Sequence, residues 1–211
     1  MNILAIDSSG KSFSLTLSKD NEIKTFQDTS ESVSSESILV EIDNLVSRCK
    51  INPNQINSVV FNSGPGSFTG VRVSSAIVQA IGYSNNCPVY GINSLNLDAY
   101  SIFKKHQIEH LQIIKKAFGD QIFHGLIKIN SNDCIMEEPC ITMTCSDVKP
   151  LTDYIIATDS QDIINQDILN HILIDDYINS ELLIEYYKTY CSSKEGFNYK
   201  DALPSYAGHT I

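Results

Sequence analysis

The sequence predicts an α/β protein, and three observations carry that reading. The first hundred residues follow the pattern β-β-β-α-β-α-β. A glycine-rich loop stands between an apolar strand and a helix of small residues. Hydrophobic residues make up 42% of 211, enough to bury a substantial core.

Residues 3–6 form a short apolar run that stops at the turn cluster Asp7-Ser8-Ser9-Gly10. Phe13, Leu15 and Leu17 alternate with Ser and Thr, the pattern of a strand with one buried face. Asp20-Asn21 turns the chain, and residues 23–26 return as the third strand. The polar stretch 30–35 can cap a helix, since Ile38, Ile42, Leu45, Val46 and Cys49 follow at helical spacing. Pro53 suits the start of a short helical turn, and residues 59–61 read as a buried strand. Residues 62–70 are a loop. A helix over 70–84 then carries Val71, Val73, Ala76, Ile77, Ala80 and Ile81 among Ser, Gly and Ala, so it can pack on more than one side. Residues 89–92 are a strand and 94–106 a helix. Beyond them, strands are expected at 113–114, 122–129, 140–143 and 154–157, with a turn at 117–120. Helices are expected near 160–170 and 179–192, and an irregular tail from residue 197. A composition shift near residue 100 divides the chain into an N-terminal subdomain, 1–103, and a C-terminal subdomain, 104–211.

Charge and composition exclude several classes. The net charge is −10 and the only arginines are Arg48 and Arg72, which argues against a protein that grips nucleic acid by itself. No apolar run approaches the roughly 18 residues of a membrane span. The opening MNILAIDSSG has no basic n-region, so a secretory signal is not expected and a cytoplasmic location is. The six cysteines include no CxxC pair and read as reduced thiols.

Three constellations could carry chemistry. In Gly64-Pro65-Gly66-Ser67-Phe68-Thr69-Gly70-Val71-Arg72, glycines permit close backbone approach, and the helix that follows presents free N–H groups. The loop ends in neither a Walker signature nor GxGxxG. It is either an anion cradle or a tight strand-to-helix connection capped by Ser67 or Thr69. Asp7-Ser8-Ser9 after the first strand could face a phosphate or its magnesium ion, or could form an Asx turn. His106-Gln107-Ile108-Glu109-His110 matches the spacing of inverted zinc peptidases. No residue nominates itself as a third ligand, and the flanking lysines suit a solvated surface.

The opening strand with Ile6-Asp7-Ser8-Ser9 and the whole of residues 64–72 resemble the bacterial TsaB (YeaZ-like) family of the tRNA threonylcarbamoyladenosine pathway. Gly91-Ile92-Asn93-Ser94-Leu95 and Pro204-Ser205-Tyr206 resemble further family segments; the likeness is strong over residues 1–97 and weak beyond. The resemblance implies the actin/Hsp70/sugar-kinase (ribonuclease H-like) fold, with two α/β subdomains related by duplication. Each would begin with a three-stranded meander, the second over about 113–143. The family's catalytic, TsaD-like paralogue holds a metal through two His at i, i+4 on its first long helix. Residues 31–41 here contain no His. The chain therefore looks like a non-catalytic scaffold that binds and stabilises that metal-dependent paralogue, with no catalytic or metal-ligating residue of its own.

Family members pair through their two N-terminal helices. That nominates Ile38, Ile42, Leu45, Val73, Ala76, Ile77 and Ala80 as interface residues; the alternative is that they cover the protein's own sheet. A homodimer through the same helices is expected when the chain is alone. Asp7, Ser8, Ser9, Gly64, Gly66 and Ser67 would line a residual nucleotide site, with any ATP or ADP at the shared interface rather than in a private one. Contact with a TsaE-like ATPase is left in question, because Lys116-Ala117-Phe118-Gly119 departs from the family's usual turn. tRNA would be met only through the complex. The rival reading is a small ATP-dependent kinase or nucleotide-binding protein of the same superfamily.

Overall fold

In the computed structural model, which describes residues 1–10, 12–20, 22–29, 35–160, 171–174 and 179–206, the opening apolar run becomes the central strand of a five-stranded sheet. β1 (Asn2–Asp7), β2 (Phe13–Lys19) and β3 (Glu22–Asp28) form an antiparallel meander, with Lys19 opposite Glu22. β4 (Ser58–Gly64) then pairs parallel to β1, and β5 (Val89–Asn93) parallel to β4, giving the order β3-β2-β1-β4-β5. Parallel pairing needs a crossover, which α1 (Ser35–Arg48) and α2 (Phe68–Asn85) supply. Both helices pack on one face of the sheet. Ile38, Ile42, Leu45 and Val46 join Leu4, Ile6, Phe13, Leu15, Leu17, Val59, Phe61, Ile77 and Val78 in one core.

The polar face of β2 is buried as well. Ser14, Thr16 and Ser18 are at most 2% exposed, where alternation predicts one solvated face. The cause is α4 (Ser180–Tyr186), extended by a π-helical turn over Tyr187–Cys191. Ser180 N donates to Ser14 Oγ at 2.9 Å, and the Thr16 and Ser180 hydroxyls share a hydrogen bond of 2.8 Å. The Asn179 side chain accepts from Glu181 N and Leu182 N. The otherwise unpartnered donors of the helix start are thus matched by serine and asparagine oxygens.

The second sheet repeats the plan. β6 (His110–Lys116) and β7 (Gln121–Ile129) form a hairpin, and β7 also pairs with β8 (Cys134–Met136) and β9 (Ile141–Thr144), all antiparallel. β10 (Ile155–Thr158) then pairs parallel to β6, and β11 (His171–Leu173) parallel to β10. The order β8-β7-β6-β10-β11 matches that of the first sheet. This is the duplicated ribonuclease H-like arrangement of the actin/Hsp70/sugar-kinase class. α3 (Ser94–His106) covers this sheet, with Leu95 against Gly125. β8 and β11 are three-residue strands, too short to show a period of two.

Contacts divide the chain into two units. Of the described residues, one holds those within 1–94 and 179–205, and the other those within 95–160 and 171–174 together with Tyr206. A cut at 103/104 would leave α3 with the first unit, whereas its contacts place residues 95–106 in the second, and α4 belongs to the first. The expected helix over 160–170, the polar stretch at 30–34 and the end of the tail lie largely outside the described residues. The described part of the tail is ordered against α2: Ser75 Oγ donates to Ala202 O at 2.5 Å, and Gln79 Nε2 to the same oxygen at 3.1 Å.

Candidate functional site

The two loops singled out by the sequence meet at the C-terminal ends of β1 and β4. Asp7, 4% exposed, closes an Asx turn: its Oδ1 accepts from Ser9 N at 2.9 Å and from Ser9 Oγ at 2.8 Å. Asn62, fully buried at the end of β4, links this turn to the next loop. Its Nδ2 donates to Ser9 Oγ at 2.7 Å, and its Oδ1 accepts from Gly64 N at 3.0 Å. Gly64 has φ +97°, a conformation open to glycine, and the Gly64–Pro65 peptide is cis.

The other glycines serve close approach. A Cβ on Gly66 would lie 2.4 Å from Ser9 O, and one on Gly70 1.8 Å from Ser8 O. The loops are stitched where they touch. Ser67 N donates to Ser9 O at 2.6 Å, and Ser8 Oγ donates to Gly70 O at 2.7 Å while sharing a hydrogen bond with Ser74 Oγ at 2.6 Å. Ser67 caps α2, its Oγ accepting from Gly70 N at 3.2 Å. Ser94 Oγ donates to Pro65 O at 2.5 Å, and Ser205 N to Ser63 O at 2.6 Å.

Thus the nominated nucleotide residues Asp7, Ser8, Ser9, Gly64, Gly66 and Ser67 are brought together. The N–H groups of Ser67 and Gly70 are donated within the protein. Asn62, Ser74, Ser94 and Ser205 complete the cluster and were missed in the sequence. For Asn62 a signal existed: an amide ending the apolar run Val59-Val60-Phe61 is a polar group about to be buried. Ser94 and Ser205 lie in the two further segments that resemble the family, while Ser74 carries no signal.

The nominated interface residues divide by face. Ile38, Ile42, Leu45 and Ile77 are between 1% and 7% exposed and face their own sheet, so they are not available to a partner. The stripe that identifies an amphipathic helix is the one its own core takes. Ala76 and Ala80 are exposed and Val73 is half-buried. The apolar residues α1 turns outward are Leu39 and Val40, 55% and 53% exposed. On α2 the exposed stripe is Arg72, Ala76, Ala80 and Tyr83, and Arg72 is the only charged residue in that helix. Its guanidinium stacks 3.5 Å above the Phe68 ring.

The zinc alternative fails on geometry. α3 ends at His106, Gln107 has φ +57°, and His110 opens β6, so the two His do not share a helix face. His110 instead lies against Tyr154, with ring centroids 5.5 Å apart. Among the described residues no three His, Cys, Asp or Glu side chains converge as a metal site. No described helix is long and apolar enough to cross a membrane.

Residues 29–114 match the family model described as TsaD, tRNA N6-adenosine threonylcarbamoyltransferase. The tRNA threonylcarbamoyladenosine biosynthesis protein TsaB of Haemophilus influenzae is 32% identical over 127 residues, covering 60% of this chain and 54% of that protein. The protein of the same name from Buchnera aphidicola subsp. Schizaphis graminum is 30% identical over 123 residues, covering 58% and 59%. The chain spans about half the length of the curated relatives it matches. YeaZ from Pseudomonas aeruginosa shares the fold, with a TM-score of 0.80 at 18% identity over 97% of this chain and 99% of that one. The chain is thus similar in sequence to TsaB proteins over about 60% of its length, and it shares the fold of YeaZ from Pseudomonas aeruginosa.

Proposed function

We propose that this protein is a non-catalytic scaffold of the tRNA threonylcarbamoyladenosine machinery, which binds and stabilises a metal-dependent, TsaD-like catalytic subunit. The observation that carries the reading is the outward face of α1 and α2. Leu39, Val40, Ala76, Ala80 and Tyr83 are exposed there, and α2 offers a single charge along 18 residues. A solvated helix face normally carries several charges; α1 exposes Asp43 and Arg48, but the stripe on α2 carries one, so α2 above all suits a covering partner. The names of the TsaB relatives support the pathway, and the lack of His in residues 31–41 supports a partner that supplies the metal. Any ATP or ADP would sit at the boundary with that partner, since Ser67 N and Gly70 N are engaged internally. A TsaE-like ATPase and tRNA would be met in the assembled complex, and a homodimer through the same face would form in the partner's absence.

The test is reconstitution of threonylcarbamoyl transfer to tRNA by the cognate catalytic paralogue and ATPase, with and without this chain. Activity that depends on the chain supports the scaffold role, and Leu39→Glu should weaken partner binding about tenfold or more while the chain stays folded. Equal activity without the chain would sink the proposal. Magnesium-dependent ATP turnover by the isolated chain would favour the rival kinase reading.

A further inference from the structure

Gln112 on β6 is 1% exposed, and its amide is held at three points. Nε2 donates to Lys149 O at 3.0 Å, and Oε1 accepts from Leu151 N at 3.3 Å. A carbonyl must face the NH2 and an N–H must face the oxygen, so these two backbone groups admit one orientation of the amide. The second N–H of Nε2 meets His124 Nε2 at 3.0 Å. That ring nitrogen must therefore carry the lone pair, and the proton of neutral His124 sits on Nδ1.

The backbone held by Gln112 follows the short 3-10 turn Cys145–Asp147 and crosses the same face of the sheet. Val148 there packs on Ile114, Ile122 and Ile156, together with Met143 and Cys145. The titratable and charged groups around His124 are Glu138 and Cys140, which precede β9, and Lys149, whose side chain is exposed. Burial holds the imidazole below its ordinary value, with Glu138 opposing the shift. The Cys140 thiol, pushed up to about 11 by burial, stays neutral throughout.

We propose that His124, Gln112 and residues 148–151 form a proton-operated latch: neutral His124 keeps the segment pinned to the sheet, and protonated His124 releases it. A proton on Nε2 turns the 3.0 Å contact into donor against donor. Turning the amide over would restore that one bond. It would also set Oε1 against Lys149 O and the NH2 against Leu151 N–H, losing two. The native state thus takes up fewer protons than the unfolded chain just below pH 6.5. The latch is fully closed above that pH and weakens as pH falls below it toward the lowered native value.

The experiment is 15N NMR of the histidine rings in the full chain. It is paired with hydrogen exchange of the Leu151 amide, corrected for intrinsic rate, between about pH 7.5 and about pH 5. The expected result is the Nδ1–H tautomer at the higher pH. Leu151 protection then falls about tenfold on acidification, following the His124 titration. In His124→Gln the side-chain carbonyl supplies an acceptor that does not titrate, and protection should persist at the lower pH. An Nε2–H tautomer at the higher pH would overturn the latch, as would an equal acid loss in His124→Gln. If that variant does not fold, the wild-type tautomer and a loss that fails to follow the His124 titration decide the matter in the same way.

Discussion

The turn joining β1 to β2 and the turn joining β6 to β7 hold equivalent places in two sheets of the same strand order. The first is tied into a network, with Asp7 buried and Ser8 and Ser9 half-buried. Asp7 holds Ser9, Asn62 ties both to the next loop, and the backbones of Gly66 and Gly70 come into contact with Ser9 and Ser8. The second turn is bare. Phe118 is 92% exposed, and a Cβ on Gly119 would meet nothing within 4 Å. Its closure rests on Ala117 N donating to Gln121 O at 3.0 Å and Gln121 N donating to Phe118 O at 3.1 Å. Topology delivers a turn to the same place twice, but only a neighbouring loop with glycines at the contact points comes close enough to tie it down. Each turn region also uses glycine for a different reason. Gly70 yields space to Ser8, whereas Gly119 adopts φ +61°.

Four substitutions break or sharpen this contrast. The largest effect is expected below the bare turn. Its hairpin is held at the base by Lys115 Nζ, 2.8 Å from the fully buried carboxylate of Asp98. Lys115→Met removes the cation from a buried carboxylate and should cost about 3–5 kcal/mol, read as lost hydrogen-exchange protection in β6 and β7. A loss below about 1 kcal/mol would mean that the hairpin is not held there.

Next comes the glycine pair. Gly70→Ala pushes a methyl into the Ser8 carbonyl and should cost about 3 kcal/mol, measured at β1 and β4 amides. Gly119→Ala meets only the left-handed backbone and should cost about 1 kcal/mol. Equal costs would erase the distinction between the two turns. The smallest effect belongs to Phe118→Ser, which removes an exposed ring and should move stability by less than about 0.5 kcal/mol in urea unfolding.

Much of the fold was legible because its signals are local. The apolar runs of β1, β4 and β5, the alternation in β2 and the spacing of Ile38, Ile42 and Leu45 each reflect a period imposed by the backbone. The Asx turn at Asp7 and the Ser67 cap are local too, since donor and acceptor lie two or three residues apart. The partners of those loops were not legible. Ser74, Ser94 and Ser205 reach the site from separate parts of the chain, and a serine in a helix or tail looks the same whether it is buried or solvated. The outward face of α1 was assigned to the wrong stripe for a related reason. Periodicity reports that a helix has an apolar side, and Ile38 and Ile42 spend it on their own sheet.

By itself, the sequence determined the alternation of strands and helices in the first hundred residues and the two loops rich in serine and glycine, while the repeated meander was an expectation of the family resemblance. Tertiary structure alone decided that the serine and threonine face of β2 is covered, because α4 returns to it from more than 160 residues away to bond Ser14 and Thr16. It also decided why α2 is built of small residues. Ser74 meets Ser8, Ser75 meets Ala202, and Gly82 lies against Val89 and Tyr199, so three separate segments press on one helix. Local propensity reads only the energy of a residue with its near neighbours along the chain. Which distant surface fills the remaining space is set by packing, and packing exists only once the chain has folded.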